Sequence, residues 1–263
     1  MSDSVMMAEI SWPDFAEKVK ENAAVFVPLG ATEQHGPHMG LGVDVVLPSA
    51  VCARVAKNVG GIVAPAIPYG YTSQPRSGGG ETFPGTISLD MNTLTLVVRD
   101  VICGLAKHGI RRVVVACGHF ENLWPAIEGI SLALRELRRD GISDLTVLRI
   151  DYWDFVHRHT LERLFPQGFP GTELEHASLL ETSMMLEVRP DMVKMDKVPH
   201  DGPATFPRYD RYPVASGTIP QSGVLARAAG ATAEKGQWLL DDHVELVTEA
   251  VIEGFGLEVI PPI

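Results

Sequence analysis

Two short stretches carry a carboxylate and an imidazole one residue apart, in opposite order. Glu33 and His35 lie in LGATEQHGPHMGLGVD (29–44), and His119 and Glu121 lie in GHFEN (118–122). In extended backbone, residues i and i+2 point to the same side, so each pair can present both groups together. Asp44, further along the first stretch, adds a carboxylate that can return to the same place. Three carboxylates and two imidazoles exceed what one catalytic zinc takes, about three protein ligands plus water. They suit two divalent ions roughly 3.5–4 Å apart that share a carboxylate and make water nucleophilic near neutral pH. Asp44 is the natural bridge. Mixed nitrogen and oxygen ligands fit Zn or Mn, and the lack of thiolate argues against a structural cysteine zinc site.

Other chemistry-bearing residues are less specific. His38 is close by in sequence but spare: it either orients a ligand or faces solvent, the second reading being slightly favoured. RSGGGE (76–81) matches neither a dinucleotide fingerprint nor a P-loop, so it is a flexible loop, or one whose glycines let backbone and Ser77 approach a small substrate. Thr172 and Glu175 fit a capping box opening a helix over 172–188, with His176 in its first turn. There the positive dipole end lowers a histidine pKa and keeps it a neutral base near pH 7. An ordinary helix histidine fits the same pattern.

The elements that must position these groups alternate. A strand-like apolar run (23–30) precedes Glu33, followed by a helix (48–58) and a short strand (62–66). Asp90 can cap a helix whose apolar stripe includes Leu94, Val98 and Ile102, with Gly109 as its stop. The strand RRVVVAC from Arg111 is continuously β-branched, which implies burial on both faces in a parallel sheet covered by helices. A helix with Pro125 in its first turn and Gly141 beyond its end follows, then the strand DLTVLRID (144–151). A last helix spans about 232–254, and the proline-rich stretch 200–223 has neither helical nor strand period. This rhythm predicts an α/β fold. If both metal-capable pairs leave neighbouring parallel strands at their carboxyl ends, they face one crevice, where open α/β sheets bind ligands.

The chain of 263 residues, 45% hydrophobic and 21% charged, reads as globular, and nothing in it marks a domain boundary within 1–263. A formal net charge of −11 disfavours nucleic acid as a partner. The one basic cluster, 135–140, ends a helix, where cations complement the dipole. There is no apolar run of about 18 residues and no secretory leader, which predicts a soluble cytoplasmic protein without a membrane span. Cys52, Cys103 and Cys117 sit in apolar segments and read as reduced core residues.

The segments GATEQHGPHMGLGVDVVLPSAVC, YGYTSQPRSGGGETFPGT, GHFEN, DYWDF, EHASLLETSMML and PATFPRYD, in that order, resemble the creatininase (creatinine amidohydrolase) family across nearly the whole chain. The resemblance implies a three-layer α/β/α sandwich with a mostly parallel sheet, a homohexamer and hydrolysis of a C–N bond in a small cyclic amide, creatinine to creatine being the reference reaction. It implies that Glu33, Asp44 and His119 hold one ion, Mn or Zn, and that His35, Asp44 and Glu121 hold a zinc. His176 becomes the proton shuttle with Glu121 assisting, and Ser77, Phe120, Trp153, Thr172 and Glu173 contact substrate. Members acting on creatinine carry Tyr where Phe120 stands, a lid Trp where Thr172 stands and Asp where Glu173 stands; Trp153 is kept. A different lactam or a formamide is the alternative within the family. A metal-stabilised scaffold is the alternative outside it, distinguished by bound metal without turnover.

Overall fold

The structure, a computed structural model, describes residues 4–200 and 202–257, so Asp201 and the ends of the 1–263 span lie outside the described residues. In chain order it forms α1 (Trp12–Lys20), β1 (Val25–Leu29), α2 (Val43–Val59), β2 (Ile62–Val63), α3 (Met91–Lys107) and β3 (Arg112–Cys117). Then come α4 (Leu123–Arg139), β4 (Thr146–Asp151), α5 (Arg158–Leu164), α6 (Leu179–Val188) and α7 (Ala233–Phe255). The strands pair in the order β2-β1-β3-β4, all parallel.

Period-2 alternation sorts the strand side chains into two cores. Phe26, Val114, Ala116 and Ile150 pack with α2, α6 and α7, through Leu47, Val51, Met185 and Leu239. Val25, Val27, Val113 and Val115 point the other way, against Leu94, Val98 and Ile102 of α3 and Ala133 and Leu137 of α4. Burial on both faces is why β1 and β3 read as unbroken apolar runs, and the result is the three-layer α/β/α sandwich.

Several boundaries differ from the sequence reading for local reasons. The helix expected over 48–58 begins at Val43, which puts Asp44 in its first turn, and Pro48 lies inside it. The strand expected over 62–66 is two residues long. Asp90 occupies the N-cap position of α3 without a side-chain cap bond, whereas Thr232 does cap α7 by accepting from the Lys235 N–H at 3.2 Å. The helix expected over 172–188 is broken. Thr172–Leu174 form a single 3₁₀ turn, Ala177 takes a left-handed φ of 55°, and α6 starts only at Leu179. The capping box of Thr172 and Glu175 is absent, and Glu175 Oε2 instead accepts from the Leu180 N–H at 3.1 Å. His176 therefore precedes the helix rather than sitting in its first turn. The three cysteines are free and buried. No helix among the described residues is long and apolar enough to cross a membrane.

Candidate metal centre

β1 and β3 are direct neighbours in register, from Val25 opposite Val113 to Leu29 opposite Cys117. The segments leaving their carboxyl ends therefore emerge side by side, one carrying Glu33 and His35 and the other His119 and Glu121. The first turn of α2 adds Asp44 between them.

Hydrogen bonds to main-chain carbonyls fix how the two histidines face this space. His35 Nδ1 lies 3.1 Å from the carbonyl oxygen of Glu33, and His119 Nε2 lies 2.9 Å from that of Tyr71. A carbonyl only accepts, so each of these nitrogens carries the ring hydrogen and the other nitrogen presents a lone pair. For His35 that is Nε2, 3.0 Å from Asp44 Oδ1, completely buried and without a properly directed hydrogen bond. For His119 it is Nδ1, 3.1 Å from both Glu33 Oε2 and Asp44 Oδ2. Lone pairs facing carboxylate oxygens across about 3 Å repel unless a cation stands among them. A proton or a divalent ion meets that demand. Burial pulls both imidazole pKa values down, but Asp44 and Glu181 carry His35, and Glu33 and Glu121 carry His119, well above the ordinary value. Burial likewise opposes ionisation of Glu33, yet the facing His119 and His176 hold its carboxyl low, at about 2. The donor set, carboxylate oxygens with imidazole nitrogens and no sulfur, fits Zn or Mn.

Three groups bring their ligand atoms within 4.8 Å of one another: Glu33, Asp44 and His119; His35, Asp44 and Glu181; and Glu33, His35 and His176. Asp44 belongs to two of them, one oxygen to each. Glu121 belongs to none. It fronts His119 Nε2 at 3.2 Å, accepts the Gln74 N–H at 2.9 Å and is hydrogen-bonded by Ser77 Oγ. The sequence reading did not single out Glu181, whose Oε2 is 3.7 Å from His35 Nε2. Its one signal was a lone carboxylate inside the small and apolar run ASLLETSMML. His38 does not face solvent: it is buried, with Nε2 3.0 Å from Thr182 Oγ1, and burial together with neighbouring His35 pushes its pKa down to about 4.

A cavity of about 280 Å³ opens over this cluster. Ser77, Phe120, Trp153, Thr172, Glu173 and His176 all line it, so the structure gathers every residue expected to meet substrate. Phe120, Thr172 and Glu173 are exposed at its mouth. Trp153 packs edge-on against Tyr152 with ring centroids 5.5 Å apart, and His176 leans on His35 at 4.4 Å.

The family profile described as "Creatininase: Creatinine amidohydrolase" matches residues 8–251. The creatinine amidohydrolase of Pseudomonas putida is 48% identical over 257 residues, covering 97% of this chain and 99% of its own. Two solved creatininase structures superpose with a TM-score of 0.94 at 46% identity, each covering 99% of this chain and 100% of its own. One is a glutamate-to-glutamine variant of Zn–Zn type, and the other is creatininase with Mn.

Proposed function

The chain belongs to the creatininase family, and from that premise we propose that it hydrolyses creatinine to creatine, opening the ring at its amide C–N bond. It is a metal-dependent cyclic-amide hydrolase using two divalent ions per chain, Zn with Mn or two Zn. The observation that carries this reading is the pair of buried imidazole lone pairs turned onto opposite oxygens of one carboxylate, Asp44. Glu33, Asp44 and His119 would hold one ion, and His35 and Asp44 would hold the other together with Glu121, as the resemblance implies, and with Glu181, which reaches His35, while the carbonyls of Tyr71 and Glu33 set the tautomers from behind. When bound, such ions supply Lewis acidity toward a carbonyl oxygen and water made nucleophilic near neutral pH.

The chain's own groups do the rest. Trp153 gives a planar ring a wall to stack on. His176 and Glu121, on either side of the cluster, carry the proton that the leaving nitrogen must gain. Ser77 holds the Glu121 carboxylate in place. The proposal extends to one creatininase-like domain over 1–263, assembled as a homohexamer in the cytoplasm. Exposed Trp12 and Trp124 support an assembly, and three buried free cysteines support a reducing compartment.

Protein stripped by a chelator, then reloaded with Zn or Mn, is to be assayed on creatinine and on a panel of lactams, hydantoins and formamides. Loss of creatinine turnover on stripping and its return on reloading is expected. Turnover in the metal-free protein, or turnover only of another amide, would overturn the mechanism or the substrate respectively.

A further inference from the structure

Gln34 stands between two of the metal-facing residues, is buried, and has no part in the chemistry described so far. Its side-chain nitrogen lies 2.7 Å from the Gly78 carbonyl oxygen, 2.9 Å from that of Gly223 and 2.9 Å from His176 Nε2. Its Oε1 accepts the Gly36 N–H at 2.8 Å. Carbonyl oxygens only accept and a backbone N–H only donates, so these partners fix which end of the amide is which. The group facing His176 is therefore the NH₂, whose two hydrogens are shared among these three acceptors and whose nitrogen has no free lone pair. A hydrogen on His176 Nε2 would find no acceptor there. In neutral His176 the ring hydrogen must stand on Nδ1, which has no hydrogen-bond partner among the described residues of the cavity this histidine lines.

The same amide joins three separate segments. Gly78 belongs to the glycine-rich loop, Gly223 ends the proline-rich stretch, and His176 precedes α6. The two glycines are required by closeness: a Cβ at Gly78 would stand 2.6 Å from His176 Cε1, and one at Gly223, where φ is +74°, would run into the Gln34 amide carbon and oxygen. Backbone packed this tightly leaves the amide no alternative orientation.

We propose that Gln34 is a positioning residue for His176: its amide holds the imidazole in the Nδ1–H tautomer and ties three loops together over the metal centre. The consequence for turnover rests on the function proposed above; the tautomer does not.

The test is ¹⁵N NMR of Zn-loaded protein carrying ring-labelled histidine, with the His176 signals identified by their loss in His176→Gln. In the wild-type protein, His176 is expected as the Nδ1–H form. In Gln34→Leu, the Nε2–H form should appear, with ions per chain unchanged by elemental analysis and kcat on creatinine lowered roughly 10- to 100-fold at similar KM, as for other residues that orient a functional histidine. Gln34→Glu provides a second arm that keeps the side chain's shape: a carboxylate accepts from the ring, so the hydrogen should move to Nε2. A wild-type Nε2–H form, or variants with the wild-type tautomer and kcat, would overturn the proposal. A wild-type protein without creatinine turnover would sink the functional reading, while the spectra would still decide the tautomer.

Discussion

Gly118, just past the end of β3, lies against the main chain of Asp44 with no room for a side chain. A Cβ at Gly118 would reach the Asp44 carbonyl oxygen and stand 2.5 Å from Pro48 Cγ. Pro48 has no N–H to return an i→i−4 bond to that carbonyl, so the first turn of α2 stays open on this side and the strand end nests into it. The contact sets the Asp44 carboxylate beside His119, the next residue after Gly118.

Gly118→Ala should therefore disturb both fold and site. Overpacking at such a contact costs about 1–3 kcal/mol, and parting α2 from β3 would separate Asp44 Oδ2 from His119 Nδ1. Urea denaturation and elemental analysis read the two effects. Full stability with full metal content would show that the two elements can separate without loss.

Asp44→Ala should remove both ions, because each oxygen of Asp44 serves a different group. His35→Ala and Glu181→Gln should each leave the ion held by Glu33 and His119 and deplete the other. Metal counting on the three purified variants decides this. Two ions retained in Asp44→Ala would break the bridging assignment, and two retained in Glu181→Gln would remove Glu181 from the ligand set.

The parts of this arrangement that sequence made readable are those governed by short spacing. Continuous apolar runs gave β1 and β3 away as buried neighbours, and i, i+2 spacing placed Glu33 with His35. Glu181 escaped because an isolated carboxylate in a helix reads as solvated until tertiary packing brings it to His35. The burial of His38 is likewise a matter of what packs over it, and nothing in its spacing says so. At Thr172 a local pattern misled: the capping box was present in the residues, but Ala177 at positive φ interrupts the helix it would have opened, and alanine carries no signal for that conformation.

Glu175 should make stability depend on pH in an unusual sense for a carboxylate. Burial, with Glu181 adding repulsion, pushes its pKa up to about 8 against the bond from Leu180 N–H, from an ordinary value of 4.5. The folded state thus binds the proton more tightly than the unfolded one. That contribution is fully present below the unfolded pKa and is lost as pH rises through the folded one. Glu175→Gln keeps an acceptor for Leu180 and cannot ionise. Urea midpoints should match wild type near about pH 4 and exceed it near about pH 9, by up to a few kcal/mol in free energy. Equal pH dependence in the two proteins would show that Glu175 ionises without penalty.

Thr172 and Phe120 stand exposed at the mouth of the cavity, at positions where the resemblance to family members acting on creatinine implies Trp and Tyr. Threonine offers no flat surface there, whereas Trp153, which lines the same cavity, does. Because Thr172 caps no helix here, and α6 starts only at Leu179, a larger side chain at this position loses no cap bond. Thr172→Trp should therefore leave thermal stability within about 0.5 kcal/mol of wild type, as for other exposed sites away from caps and cores. An indole stacked on the substrate contributes about 1 kcal/mol, which corresponds to a roughly fivefold lower KM for creatinine. Phe120→Tyr adds one hydroxyl at the same mouth, worth about 1 kcal/mol if it reaches a substrate acceptor. Steady-state kinetics on the two single variants and the double variant separate the contributions. A KM for creatinine unchanged or raised in Thr172→Trp would mean that the open mouth serves a bulkier amide than creatinine, one that the indole excludes.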